Sequence, residues 1–169
     1  PVAGTPVPTT APARNLRVSG GYLFAAESAS GLECFDVGTP SAPVLQFQIA
    51  LPHNVYDAWY SADTAYVATG WSGLRILDMT DPADPEEISS VDTPGDAWAV
   101  AFTGGVSYVA DYQGGLVTVD CSDTIGAVET WSDPAVADGR DLVIADGLMF
   151  VAGGTAGLQI YDPADPSAP

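Results

Sequence analysis

Apolar and polar residues alternate along this chain in short runs, and the runs recur at one fixed interval. GLRILD occupies residues 73–78, and the same pattern returns as GLECFD at 31–36, GLVTVD at 115–120 and GLQIYD at 157–162, each 42 residues after the last. A constant period of that size is the mark of an array of like structural units. Within each unit the pattern predicts four strands. The first is NLRVS (15–19), DAWYS (57–61), AVAFT (99–103) or DLVIA (141–145). A turn follows on Gly20-Gly21, Ala62-Asp63, Gly104-Gly105 or Asp146-Gly147, residue types that suit the positive φ of two-residue hairpins. The second strand carries an aromatic at one phase (Phe24, Tyr66, Tyr108, Phe150) and an alanine two residues on (Ala26, Ala68, Ala110, Ala152). Side chains two apart share a strand face, so large and small residues are paired for packing against a neighbouring sheet.

The third strand is the Gly-Leu motif. Leu32, Leu74, Leu116 and Leu158 alternate with Glu33, Arg75, Val117 and Gln159, which predicts a strand buried on one face. It ends on Asp36, Asp78, Asp120 or Asp162, expected to close a turn by accepting backbone N–H groups. Prolines recur after that aspartate in the other units, but the third reads DCSDTIGA (120–127) without them, predicting a different turn. The fourth strand, VLQFQI (44–49), EEISSV (86–91) or VETWS (128–132), is the most polar, as an outer edge strand should be. Residues 1–14 share the phase of 43–56 and predict either an outermost strand, weakened by Pro6 and Pro8, or a linker.

No stretch has helical periodicity. Four strands of ~6 residues with turns of ~4 fill roughly 40 residues, matching the repeat. One such unit cannot cover its own faces, whereas neighbours stacked radially can; propellers do this with ~4–8 blades. A β-solenoid has shorter coils and no hairpins. The fold predicted is therefore an all-β propeller of four 42-residue, four-stranded blades, in a single domain or fragment. Its units run at about 15–56, 57–98, 99–140 and 141–169 plus 1–14. The units either close into a four-bladed ring, with residues 2–7 joining the strand at 157–162, or form an arc of a larger propeller. Pro1 and Pro169 share a repeat phase with Pro43 and with residue 127 respectively, which predicts a piece of a longer chain carrying further repeats or domains.

Charge narrows the partners. Twenty-two acidic residues face four arginines and no lysine, a formal net charge of −18. Nucleic-acid backbones and anionic membrane surfaces need clustered cations, so neither is an expected partner. No apolar run is long enough to cross a membrane as a helix. Such acidity favours solubility in a salty or extracellular setting. Cys34 and Cys121 lie two units apart at different phases, so no disulfide is expected between them, and Cys34 is expected to pack as a small hydrophobe.

The block YVATGWSGLRILDMTDPADPEEISSVDTPGDAW (66–98) resembles the LVIVD repeat. The likeness rests on Tyr66-Val67-Ala68, Ser72-Gly73-Leu74-Arg75-Ile76-Leu77-Asp78, Asp81-Pro82, Pro85 and Thr93-Pro94-Gly95. The resemblance implies four-stranded propeller blades and a bacterial or archaeal cell-surface or secreted protein. It transfers no catalytic motif. The WD40 pattern fits less well, because its Trp-Asp endings and Gly-His openings are missing.

In a propeller the fourth-to-first and second-to-third connections share one rim, where function is expected. Tyr56, Trp71, Trp98, Tyr112 and Arg140 lie there and form the candidate binding rim, since Trp, Tyr and Arg dominate recognition hot spots. Tyr56 and Trp98 share their phase with Arg14 and Arg140. Asp57, Asp96, Asp138 and Asp141 are the candidate metal ligands, with Ca²⁺ as the possible cofactor; the competing reading of these acids is turn capping. His53, the sole histidine, is expected in a turn, and no serine sits in a nucleophile elbow. The function expected is a non-catalytic recognition or scaffold module, extracellular or on the cell surface, binding a protein or glycan. An enzyme or calcium-dependent module at the channel mouth is the alternative.

Overall fold

The computed structural model describes residues 7–28 and 31–169, and within them the chain forms a four-bladed β-propeller. The first blade is β1 (Asn15–Ser19), β2 (Tyr22–Ala26), β3 (Leu32–Asp36) and β4 (Val44–Ile49). The second is β5 (Asp57–Ser61), β6 (Thr64–Ala68), β7 (Leu74–Asp78) and β8 (Glu86–Val91). The third is β9 (Ala99–Thr103), β10 (Val106–Ala110), β11 (Leu116–Asp120) and β12 (Val128–Asp133). The fourth has β13 (Asp141–Ala145), β14 (Leu148–Ala152) and β15 (Leu158–Tyr161), and no fourth strand among the described residues. Each blade is an antiparallel meander. The first strands β1, β5, β9 and β13 pack one against the next, which places them innermost.

The hairpin signals behave as their residue types dictate. Gly20, Gly21, Ala62, Asp63, Gly104, Gly105, Asp146 and Gly147 all take positive φ, so the turn twist matches that of the flanking strands. At the other end Asp36, Asp78, Asp120 and Asp162 each accept an N–H bond from two residues on, at 2.7–2.9 Å (Gly38, Thr80, Ser122, Ala164). The turn after β11 does not depart as its lack of prolines predicted. Asp123 accepts from Ile125 as Asp81 does from Ala83 and Asp165 from Ser167. The aspartates hold this turn and the prolines only stiffen it.

Three apolar slabs fill the spaces between successive blades. Phe24, Leu32, Phe47, Val67 and Leu77 meet between the first and second; Tyr66, Leu74, Ile76, Val109 and Val119 between the second and third; Tyr108, Leu116, Leu142 and Met149 between the third and fourth. Cys34 and Cys121 are free thiols buried in this packing. A blade covered from both sides has both faces of its middle strands buried, which corrects the one-sided burial expected of the Gly-Leu strands. In β11, between the second and fourth blades, Leu116, Val117, Thr118 and Val119 are all buried, while in β3 Glu33 is buried under Thr10 of the segment before β1. Between the third and fourth strands a one-residue bulge recurs at Cys34/Phe35, Ile76/Leu77 and Thr118/Val119, adding local twist.

The fourth blade departs from the others. Leu158 is 66% exposed where Leu32, Leu74 and Leu116 are fully buried, and Ala152 is exposed where Ala26, Ala68 and Ala110 are buried. The aromatic-alanine device is therefore a core feature in three units and half-open in the fourth. Leu16 and Val18 on the first blade are exposed in the same way, so the seam between the fourth and first blades is open. Residues 7–14 form no strand, and the expected pairing of residues 2–7 with 157–162 falls outside the described residues except at Val7, which is not in a strand.

Candidate functional site at the axial mouth

The residue before each innermost strand sits in one repeated backbone setting. The N–H groups of Arg14, Tyr56, Trp98 and Arg140 donate to the carbonyls of Ala26, Ala68, Ala110 and Ala152 at 2.8–3.0 Å. That bond extends each inner hairpin by one rung and fixes the residue at the end of the axis. With Asn15 and Asp141, these four residues line a single cavity of about 340 Å³. Every blade contributes to it.

The aromatic members are stacked. The rings of Tyr56 and Trp98 lie 4.9 Å apart and 8° from parallel, and Trp98 stacks in turn on Tyr112 at 5.5 Å and 22°. The guanidinium of Arg140 lies 5.3 Å from the Trp98 ring centre and 5.5 Å from that of Tyr112. Asn54 donates from Nδ2 to the Tyr56 hydroxyl at 3.3 Å. Tyr56, Trp98, Tyr112 and Arg140 thus form one continuous stack. Trp71 stands apart in the turn between β6 and β7, exposed and without an aromatic partner among the described residues. Arg14 was not among the residues singled out for the rim; its shared phase with Tyr56, Trp98 and Arg140 was the signal.

The four candidate metal ligands do not assemble. Among the described residues, no three His, Cys, Asp or Glu side chains converge as a set of metal ligands. Asp57 is fully engaged: Arg17 donates from Nη2 to Oδ2 at 2.7 Å and from Nε to Oδ1 at 3.2 Å, Asn15 donates at 3.2 Å, and the Val100 N–H at 3.1 Å. This carboxylate locks the first, second and third blades together. Asp141 is exposed on the cavity wall, where its Oδ1 accepts from Leu142 N–H at 2.9 Å. Asp96 is buried beside Asp111, and Asp138 sits in a left-handed turn near Gly154. His53 is a turn residue with φ 59°.

Two further acids at the rim, Asp111 and Glu27, sit beneath it as supports. Asp111 is fully buried and accepts from the Thr93 hydroxyl and, at 2.6 Å, from the Gly95 N–H, tying the strand connection 92–98 to the turn after β10. Burial pushes its carboxyl up to about 6 against the opposing pull of those two hydrogen bonds. Glu27 occupies the same phase in the first blade and lies against Thr9 and Ala11, the phase equivalents of Thr93 and Gly95. Its carboxyl is also raised, mainly by burial and in part by Glu33 beside it. Glu33 accepts from both the backbone and the hydroxyl of Thr10. Residues 9–14 therefore enter the first blade as an interblade connection does.

A model of the LVIVD repeat matches residues 12–50, 54–93 and 94–125. No curated protein sequence matches the chain. Among solved structures, the crystal structure of the computationally designed Ika4 protein superposes with a TM-score of 0.72 at 10% identity, covering 95% of this chain and 96% of that one. The computationally designed Ika8 protein gives 0.68 at 10% identity, over 90% of this chain and 46% of that one. Glutaminyl cyclase from Myxococcus xanthus gives 0.59 at 18% identity, over 92% and 68%. At such identities the likeness is one of fold.

Proposed function

This chain belongs to the LVIVD repeat family, and from that premise we propose that it is a non-catalytic recognition module of an exported or cell-surface protein. It engages a protein or glycan partner through the rim built on Tyr56, Trp98, Tyr112 and Arg140. The observation that carries the reading is the convergence of one residue from every blade on a single cavity, backed by a rigid aromatic stack. Preorganised aromatics and arginine bind at low cost in side-chain entropy, which is why they dominate recognition surfaces. Asp57 and Asp111 are engaged in holding blades and loops together rather than facing the cavity. The high acidity suits a protein outside the cell.

Probing glycan and peptide arrays with the native protein and with a Trp98→Ala/Arg140→Ala double variant tests this. Hits are expected to vanish in the double variant and to persist in Asp84→Ala, which alters the opposite rim. Binding that survives the double substitution contradicts the proposal.

A further inference from the structure

Only four cations serve this strongly acidic chain, and they fall into two groups. Arg17 pairs with Asp57 at 2.7 Å and lies over Trp59 at 5.1 Å. Arg75 pairs with Glu87 at 3.0 Å and has Asp92 at 4.0 Å. Arg14 and Arg140 have no carboxylate partner among the described residues, are exposed, and line the same cavity at the axial mouth. Two unpaired like charges brought together repel, in a protein with carboxylates in excess to neutralise them. Their position puts two unpaired cations at the mouth of a chain that is otherwise strongly acidic, which favours anions there.

The remaining lining sharpens the chemistry. Asp141 is the one carboxylate on the wall among the described residues, leaving two guanidiniums against one acid. Asn15 is turned to Asp57. Arg140 is held by stacking rather than by an ion pair, so its N–H fork is free to meet a planar anion in two-point fashion. Tyr56, Tyr112 and Arg140 all pack on the faces of the Trp98 ring. What Trp98 offers the cavity is therefore its ring edge, the positive side of the aromatic quadrupole. A volume of about 340 Å³ suits a ligand of one ring.

We infer that the axial mouth is a binding site for organic carboxylates, the carboxylate lying between Arg14 and Arg140 and a single-ring body resting against Tyr56 and the edge of Trp98. The inference rests on the recognition reading above and names its ligand chemistry. Two sources supply that chemistry: free aromatic acids, and uronic acids within a glycan.

The test is an NMR titration of the Trp98 indole N–H with benzoate, benzamide, glucuronate and glucose. Saturable shifts are expected with benzoate or glucuronate and about tenfold weaker binding, or less, with the neutral counterparts. Benzoate alone assigns the site to free aromatic acids, glucuronate alone to uronate-bearing glycans. Arg14→Gln and Arg140→Gln, both at exposed positions, should each weaken binding roughly tenfold or more, with Arg140→Lys intermediate. No shift at tens of millimolar carboxylate, or equal binding of acid and amide, overturns the inference. An array hit lost in Trp98→Ala/Arg140→Ala, yet indifferent to Arg14→Gln and to competing benzoate or glucuronate, overturns the carboxylate site and leaves the rim reading intact. Absence of any rim-dependent binding removes both.

Discussion

Asp111 shows how a single side chain serves the rim without touching a ligand. Its carboxyl closes the loop that carries Trp98 into the third blade, and burial raises its pKa to about 6. The folded state therefore holds this proton more tightly than the unfolded chain, whose aspartates titrate near 4. Its contribution to stability is complete below about pH 4 and is lost as pH rises through about 6. With solvent screening allowed for, the loss is on the order of 2 kcal/mol, several degrees of Tm. Asp78, Asp120 and Asp165, held below the usual range by their turn hydrogen bonds, act with the opposite sign and below that window. Thermal melts from pH 4 to 7 should show Tm falling across the window, with a smaller fall in Asp111→Asn; an unchanged slope would remove Asp111 from the account. Glu27, raised in the same direction, supplies part of the slope that remains.

The Gly-Leu step that opens each third strand is explained by its neighbours. Gly73 has φ 68°, and a Cβ there would sit 2.2 Å from the Val91 carbonyl oxygen at the end of β8. Gly31 and Gly115 meet the ends of β4 and β12 at 2.0 Å in the same way. Gly157 has φ 75° and nothing within 4 Å, because its blade has no fourth strand beside it among the described residues. Gly157→Ala should therefore cost about 1–2 kcal/mol from backbone strain alone, while Gly73→Ala adds a steric clash and should cost about 3 kcal/mol or more. Urea unfolding of the two variants checks this, and equal losses would contradict it. The repeat made this legible: the strand ends at 15–19, 57–61, 99–103 and 141–145 follow from hydrophobic alternation and turn residues, which are local signals. Burial was not legible in the same way. Glu33 sits at an alternating polar position yet is buried, because the segment before β1 folds over that face and Thr10 donates to its carboxylate from both backbone and hydroxyl. Alternation within a strand carries no information about what packs from the far side.

At the scale of the molecule, the mouth exists only because the 42-residue period turns about an axis. Positions 14, 56, 98 and 140 are identical in phase and far apart in sequence, and curvature brings them together. Their phase was readable; their convergence required the fold, and the pairing of Tyr56 with Trp98 required the rotation between neighbouring blades. The open seam between the fourth and first blades, with Leu16, Val18, Val143, Leu158 and Ile160 exposed, lies along the same axis. It could not be read from the repeat, since the fourth unit carries the same Gly-Leu motif as the other three. Pulsed electron spin resonance between nitroxides on paired cysteines at these four positions tests the geometry most directly, the native Cys34 and Cys121 being buried away from label. Neighbouring pairs 14/56, 56/98 and 98/140 should share one short distance, and the 14/140 pair should be comparable to it. A 14/140 separation of about three neighbour steps, as a linear stack of units gives, would contradict the propeller and the mouth with it.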